Sequence, residues 1–162
     1  MKDMRIGIIY STKYGTTAKF CAALSSCLDG RAVVETFNLR DGRPEDIGRY
    51  DAVVLATSVY AGKPRSEMAR FCASNGEALC GRRLFLFVCG MDLEHREQDK
   101  EAAFPPLLRN HAEETTFVEG EFLLHRMNIA ERLLLRVFFK VKRSLSRDYT
   151  SMANDIALRI SP

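Results

Sequence analysis

The chain has 162 residues, 46% of them hydrophobic and 28% charged, and a formal net charge of +3. These values are typical of one soluble globular domain, residues 1–162, with a sizeable core, and the small net charge gives no reason to expect a nucleic-acid partner. The segment 1–4 leads directly into a strand-like run, and no uncharged apolar run approaches membrane-spanning length, so we expect neither a signal peptide nor a transmembrane helix.

Segments with the composition of strands alternate with segments of helical spacing. In chain order we predict a strand at 5–10, a helix at 16–28, a strand at 32–37, a loop with at most a short helix near 44–47, a strand at 52–57, a helix from Pro64, a strand at 84–89, a helix at 94–110 interrupted by Pro105-Pro106, a strand at 115–122 and a helix at 148–159.

Three of these five strands are apolar throughout, which is typical of a parallel sheet with helices on both faces. Right-handed crossovers then give a doubly wound topology, in which ligands bind beyond the carboxyl ends of the strands. Three predicted loops leave those ends, at 11–17, 58–64 and 89–92. Together they suit a flat ring with a phosphate tail.

The first of these loops is rich in hydroxyl groups and is followed by a helix start. It comprises Ser11, Thr12, Lys13, Tyr14, Gly15, Thr16 and Thr17. Hydroxyls beside unpaired backbone N–H groups at a helix N-terminus form an anion cradle, and glycine lets the backbone turn closely around a phosphate. An ordinary helix cap at Ser11 or Thr12 is the alternative interpretation, and both stay open at this point.

The other two loops offer small residues and one aromatic ring. Their candidate binding residues are Ser58, Val59, Tyr60, Ala61 and Gly62 in one loop, and Cys89, Gly90, Met91 and Asp92 in the other. Tyr60 is either a stacking partner for a ring or a solvent-facing aromatic. Cys89 ends an apolar strand and is interpreted as a core thiol.

The cysteines and histidines show neither a disulfide framework nor metal-ligand spacing. Five cysteines are an odd number, none forms a C-x-x-C pair, and they lie in segments that look buried, so we predict reduced thiols and a cytoplasmic protein. The three histidines are scattered, and no metal site is expected. No acid–base dyad or nucleophile triad has a recognisable spacing, so no catalytic residue is assigned.

The first loop resembles the [ST]-x-T-G-x-T signature of the flavodoxin family, with one extra residue before Gly15 in one alignment. The resemblance covers nearly the whole chain. It implies a flavodoxin-like three-layer sandwich, with a five-stranded parallel sheet of order 2-1-3-4-5 and helices on both faces. It also implies that the hydroxyl loop binds the phosphate of flavin mononucleotide (FMN) and that the other two loops flank the isoalloxazine. A flavin needs no acid–base dyad, since the cofactor carries the redox step.

Within that family the chain looks most like the quinone-linked protoporphyrinogen IX dehydrogenases of heme biosynthesis. The segment 56–63 resembles their A-S-[IV]-x-x-G pattern, and a basic insertion at about 123–147 resembles theirs. The resemblance implies an FMN-dependent oxidoreductase with a quinone and a tetrapyrrole as partners. Two alternatives stay open, an electron carrier that binds a redox protein and a flavin-free interaction module.

The basic insertion has a physical interpretation of its own. It contains seven basic residues and one acid, Glu131, and four of the cations share one helical stripe beside a broad apolar surface. The cations are Arg126, Arg132, Arg136, Lys140, Lys142, Arg143 and Arg147. Such a helix can contact an anionic membrane surface, which would place the protein at the inner face of the membrane, or it can bind an acidic partner. Alternatively, it packs on the sheet and its basic face is solvated.

Overall fold

The computed structural model describes residues 3–121, 124–138 and 146–162. Its strands are β1 (Arg5–Ser11), β2 (Val33–Asn38), β3 (Ala52–Tyr60), β4 (Lys63–Pro64), β5 (Arg83–Gly90) and β6 (Glu114–Glu119). Its α-helices are α1 (Thr16–Leu28), α2 (Ser66–Cys80), α3 (Arg96–Ala103), α4 (Pro106–His111), α5 (Ile129–Phe138) and α6 (Thr150–Ile160), and short 3-10 helices cover Ile47–Arg49 and Leu124–Arg126.

The main sheet has the strand order β2-β1-β3-β5-β6, and all four pairings in it are parallel. With β5 and β6 as the fourth and fifth long strands, this is the predicted order 2-1-3-4-5, which is confirmed. The apolar runs predicted at 52–57 and 84–89 form the two central strands β3 and β5, and they are buried along almost their whole length.

Helices cover both faces of the sheet, so the predicted three layers are confirmed. On one face, Phe20 and Leu24 of α1 and Ile156 of α6 pack against the sheet. On the other face, Met68 of α2 and Leu108 of α4 do so. All five side chains are at most 1% exposed, so each layer is held by apolar burial.

The structure differs from the predicted elements at the loop after β3. The strand runs on to Tyr60, turns back through Ala61 and Gly62, and pairs antiparallel with β4. Both turn residues have positive φ, 49° and 73°. Pro64 therefore lies in β4 rather than in the first turn of a helix, and α2 begins at Ser66.

The more polar elements occur where the sequence predicts them, but their boundaries differ. The proline pair separates two helices, α3 and α4, because proline cannot donate within a continuous helix. The predicted short helix near 44–47 is the 3-10 helix at Ile47–Arg49. The strand predicted at 115–122 is β6, which is mostly half-buried at the edge of the sheet, as its polar composition indicated.

The basic insertion contributes α5, and its apolar residues point outward. Ile129, Leu133 and Val137 share one side of α5 and are 84%, 61% and 64% exposed. This differs from a helix that packs its apolar side on the sheet. The predicted continuation through Lys140, Lys142 and Arg143 lies outside the described residues.

Candidate functional site

The strand register brings the three predicted loops together at one edge of the sheet. Ser11 of β1 is opposite Thr57 of β3, and Ser58 is opposite Cys89 of β5. The segment after β6 joins them, because the Gly120 amide donates to the Gly90 carbonyl at 2.7 Å. The edge is therefore built from the ends of four strands, and sequence reasoning identified three of them.

The hydroxyl loop is shorter than its sequence suggested. Ser11 still belongs to β1, and α1 begins at Thr16. Thr12 Oγ1 accepts a hydrogen bond from the Gly15 amide at 3.0 Å. Gly15 has a φ of 91°, which only glycine adopts readily.

This geometry fixes how the loop aligns with the family signature. Counted from Thr12, the hydroxyl at position one, the glycine at position four and Thr17 at position six all match. Tyr14 stands where the signature has a threonine. The extra residue before Gly15 is therefore Ser11, the last residue of the strand.

A small cavity of about 30 Å³ lies between these loops. Its lining includes most of the predicted binding residues and adds one glycine: Thr12, Lys13, Tyr14, Thr16, Ser58, Val59, Tyr60, Cys89, Gly90, Met91 and Gly120. Gly15 and Thr17 belong to the same loop and helix start but do not line it, and Ser11 lies beneath it with a fully buried side chain.

A larger cavity of about 210 Å³ lies beside the first, and Val59, Tyr60 and Met91 line both. The remaining lining residues of the larger cavity are Ala61, Gly62, Asp92, His95, Gln98 and Asp99. The predicted residues of the second and third loops are thus divided between two adjoining cavities, one next to the hydroxyl loop and one next to α3.

Several hydroxyl groups at this edge are buried with no hydrogen-bond partner among the described residues. They belong to Ser11, Thr57, Ser58 and Tyr60. A buried polar group left unpaired costs about 1–3 kcal/mol, so such groups are usually satisfied by an ordered water or a bound ligand. Of these four, Ser58 and Tyr60 line the small cavity, and together with the N-terminus of α1 their hydroxyls are a donor set that fits a phosphate and the hydroxyls of a sugar chain.

The insertion contacts the hydroxyl loop directly. Arg126 donates to the Tyr14 carbonyl at 3.0 Å, and the Lys13 ammonium pairs with Glu131 at 3.0 Å. The same ammonium lies 4.3 Å from the centre of the Tyr60 ring, which meets the Tyr14 ring edge to face. The Lys13 charge is thus shared between a carboxylate and an aromatic face.

Two pKa values describe this environment. Burial, and then the Glu131 carboxylate, raise the pKa of the Tyr14 hydroxyl well above its usual range. Burial raises the pKa of the Cys89 thiol to about 12. Cys89 is therefore a neutral thiol at physiological pH and is 2% exposed, as expected for a core residue.

The third loop is packed more tightly than its sequence indicated. A Cβ at Gly90 would lie 2.8 Å from the Phe117 ring and 3.3 Å from Asp99 Oδ2, so only glycine fits there. Asp92 Oδ2 lies 2.7 Å from His95 Nδ1. Sequence reasoning missed Asp99, because an acid in a charged helix gives no signal that it faces the sheet.

The remaining functional predictions concern metals, thiols and membranes. In residues 3–121, 124–138 and 146–162, no group of three or more potential ligand side chains is arranged to hold a metal ion. All five cysteines are free. No helix of the described segments is long and apolar enough to cross a membrane.

Comparison with known proteins agrees with this architecture. The model of the flavodoxin domain family matches residues 7–148. Oxidised flavodoxin 1 from Bacillus cereus superimposes with a TM-score of 0.61 at 11% identity, covering 95% of each chain. None of the curated proteins matches the chain.

Two further solved structures are similar to the chain. The FMN-bound flavodoxin of Fusobacterium nucleatum has a TM-score of 0.53 and 19% identity, and the alignment covers 73% of this chain and 70% of that one. A flavodoxin, WrbA-like protein from Agrobacterium tumefaciens has a TM-score of 0.55 and 14% identity, covering 96% and 98%. At these identities the likeness concerns the fold.

Proposed function

The chain belongs to the flavodoxin domain family, and we propose that it is an FMN-binding oxidoreductase of the quinone-linked protoporphyrinogen IX dehydrogenase type. The observation that carries the proposal is that one side of α5 contacts the hydroxyl loop while its apolar side is exposed. Glu131 on one side contacts the hydroxyl loop through Lys13, and Leu133 and Val137 on the other side are open to solvent.

FMN suits the donor set at the strand ends. The hydroxyls of Thr12, Thr16 and Ser58, which line the small cavity, and the amides at the start of α1 suit a phosphate and a ribityl chain. The larger cavity, next to Tyr60 and Met91, is the space for the ring. When bound, FMN supplies the two-electron chemistry, and the protein positions it and sets its electrostatics. The FMN bound in the Fusobacterium flavodoxin adds support by analogy.

The outward face of α5 supports a membrane-facing acceptor. Three large apolar side chains stand exposed beside Arg132 and Arg136, which are exposed as well. A basic helix with an exposed apolar stripe binds an anionic lipid surface, where each cation near the surface contributes about 1 kcal/mol. Membrane quinones are reached from that surface, and the ring and propionates of a tetrapyrrole suit the same combination of apolar and cationic groups.

The first experiment measures FMN uptake by the purified protein, from its visible spectrum before and after FMN is added and the protein is gel-filtered. We expect retained flavin bands in the wild type and weaker retention in Thr12→Ala, which loses the contact to the Gly15 amide. Ser26→Ala, at the exposed far end of α1, is the control. No retained flavin in the wild type would contradict the proposal.

The second experiment measures sedimentation with vesicles of anionic lipid and of zwitterionic lipid. We expect the wild type to bind the anionic vesicles and Leu133→Asp to bind less. Leu107→Asp is the matched control, because Leu107 on α4 is 61% exposed, as Leu133 is. Equal loss in both variants, or no vesicle binding by the wild type, would remove the membrane from the proposal.

The third experiment tests the substrate, by following protoporphyrinogen IX oxidation with a quinone as acceptor. Turnover supports the enzyme. The second candidate, an electron carrier, is favoured by a groove of about 620 Å³ near the start of α2, whose lining has three arginines, Arg40, Arg43 and Arg70, and two acids, Asp41 and Glu67. Arg40 is 3.6 Å from Glu67, and the excess of positive charge suits an acidic redox protein. Salt-sensitive electron transfer to such a partner, without protoporphyrinogen oxidation, would support the carrier instead.

A further inference from the structure

The larger cavity contains a cluster of titratable groups that the proposed function has not used. Asp92, His95 and Asp99 all line it, on the side formed by the start of α3. The opposite side is the loop 59–62, one of the two loops expected to flank the flavin ring. A molecule that enters this cavity therefore meets two carboxyl groups and an imidazole.

Asp99 is a buried carboxyl without an ion-pair or side-chain hydrogen-bond partner among the described residues. Its side chain belongs to a residue that is only 6% exposed, and no described residue forms an ion pair or a side-chain hydrogen bond with it. A carboxylate in such a place is unfavourable unless it is neutralised by a proton. Burial raises the pKa of the Asp99 carboxyl, the nearby Asp92 carboxylate raises it further, and His95 partly opposes them.

Asp99 also lies at the correct edge of the sheet. Its Oδ2 is close to Gly90, the last residue of β5, at a distance of 3.3 Å from the position that a Cβ would occupy. The adjoining residue Met91 lines both cavities. The carboxyl is therefore next to the redox side of the proposed flavin site and away from the hydroxyl loop.

The other two groups connect this buried carboxyl to solvent. The His95 ring is 58% exposed, and its Nδ1 lies 2.7 Å from Asp92 Oδ2. The Asp92 carboxylate is 34% exposed and shares the cavity with Asp99. Asp92 and His95 are thus two solvent-exposed titratable groups, in contact with each other, that line the same cavity as Asp99.

We propose that Asp99, which lines the cavity assigned to the flavin ring, is the proton donor for reduction of a quinone that stacks on that ring, and that Asp92 and His95 return its proton from solvent, a role that rests on the proposed function. Reduction of a quinone to a quinol takes up two electrons and two protons. The Asp99 carboxyl supplies one of these protons; FMN, when bound in its anionic two-electron-reduced form, would supply both electrons and the other proton. The resulting carboxylate then regains its proton through Asp92 and His95, so atoms and charges balance.

The test compares two acceptors in the FMN-loaded protein after reduction. A water-soluble benzoquinone needs the extra proton, whereas ferricyanide takes electrons alone. We expect Asp99→Asn to slow single-turnover quinone reduction by about 10²-fold or more, the usual contribution of a general acid, and to slow ferricyanide reduction less than about twofold. Glu101→Gln, an exposed acid on the same helix, is the control and should change neither rate.

Two further readouts separate proton donation from a structural role. In the wild type, the quinone rate should fall as the pH rises through the pKa of Asp99, and this fall should be absent in Asp99→Asn. In the flavin-free protein, a carboxyl NMR titration should show that the pKa of Asp99 lies above the usual range of an aspartate. His95→Gln, which keeps Asp99 and removes the imidazole partner of Asp92, should slow repeated turnover more than the first turnover.

The outcomes distinguish this inference from the proposed function. Asp99→Asn that binds FMN and reduces the quinone at the wild-type rate, with the wild-type pH profile, overturns the proton-donor role and leaves the enzyme intact. Equal slowing of both acceptors also overturns it, since it indicates a disturbed flavin site. A wild type that reduces ferricyanide but no quinone overturns both.

Discussion

Substitution of Gly15 by alanine tests the geometry on which the hydroxyl loop depends. Gly15 has a φ of 91°, and a Cβ there would clash with the guanidinium of Arg126. The left-handed conformation costs a residue with a Cβ about 1–2 kcal/mol. If Arg126 moves aside, its hydrogen bond to the Tyr14 carbonyl is lost as well, which adds about 0.5–1 kcal/mol at an exposed site.

We therefore expect Gly15→Ala to lower the free energy of unfolding by about 1.5–3 kcal/mol. Gly30→Ala is the matched control, because Gly30 has a φ of 76° and no atom within 4 Å of its Cβ position. The control should show the conformational cost alone, about 1–2 kcal/mol. Chemical denaturation followed by circular dichroism measures both variants, and FMN retention should fall only in Gly15→Ala.

A double-mutant cycle isolates the part that comes from Arg126. In an Arg126→Ala background the clash and the hydrogen bond are both absent, so the cost of Gly15→Ala should drop to that of Gly30→Ala. If Gly15→Ala costs no more than Gly30→Ala in the wild-type background, the contact between the insertion and the hydroxyl loop has no energetic weight. If Gly15→Ala costs nothing, the left-handed conformation itself is refuted.

Two further predictions concern buried titratable groups. Burial, and then the hydrogen bond to Glu35, raise the pKa of Tyr50 to about 12. The stability that its neutral hydroxyl provides is therefore complete below about pH 10 and is lost as the pH rises towards 12. Tyr50→Phe should lower the free energy of unfolding by about 1 kcal/mol near neutral pH, and denaturation curves of this variant should show a smaller loss of stability at alkaline pH. Thiol alkylation at about pH 8, followed by mass spectrometry, should modify the half-buried Cys27 before the buried Cys89, and equal rates would contradict the burial of Cys89.

The sheet was predictable because its signals are local. Continuous apolar runs, such as the one in β3, identify a strand covered on both faces, and the alternation with helices then limits the topology. The hydroxyl loop was predictable for the same reason, since its glycine and threonines are neighbours in the chain. Its exact start was not, because only the hydrogen bond from the Gly15 amide shows that Thr12, rather than Ser11, begins it.

The unpredicted parts of the site depend on contacts between distant positions. Arg126 and Tyr14 are 112 residues apart, and no periodicity in either segment indicates that they meet. Gly120 reaches the site through the register of β5 and β6. The outward orientation of the apolar face of α5 could not be predicted either. An amphipathic pattern indicates that a helix has an apolar side but does not indicate what covers that side.

The charges around the hydroxyl loop decide how a phosphate is held there. Two cations stand next to it, but Lys13 is paired with Glu131, and the Arg126 guanidinium is bonded to the Tyr14 carbonyl. We therefore expect a phosphate at this loop to be held by hydroxyls and backbone amides, whose dipoles are fixed by the fold, rather than by free ammonium groups. These two contacts also connect the insertion to the hydroxyl loop. Lys13 and Arg126 therefore link the proposed flavin site to the insertion that carries the exposed apolar face of α5.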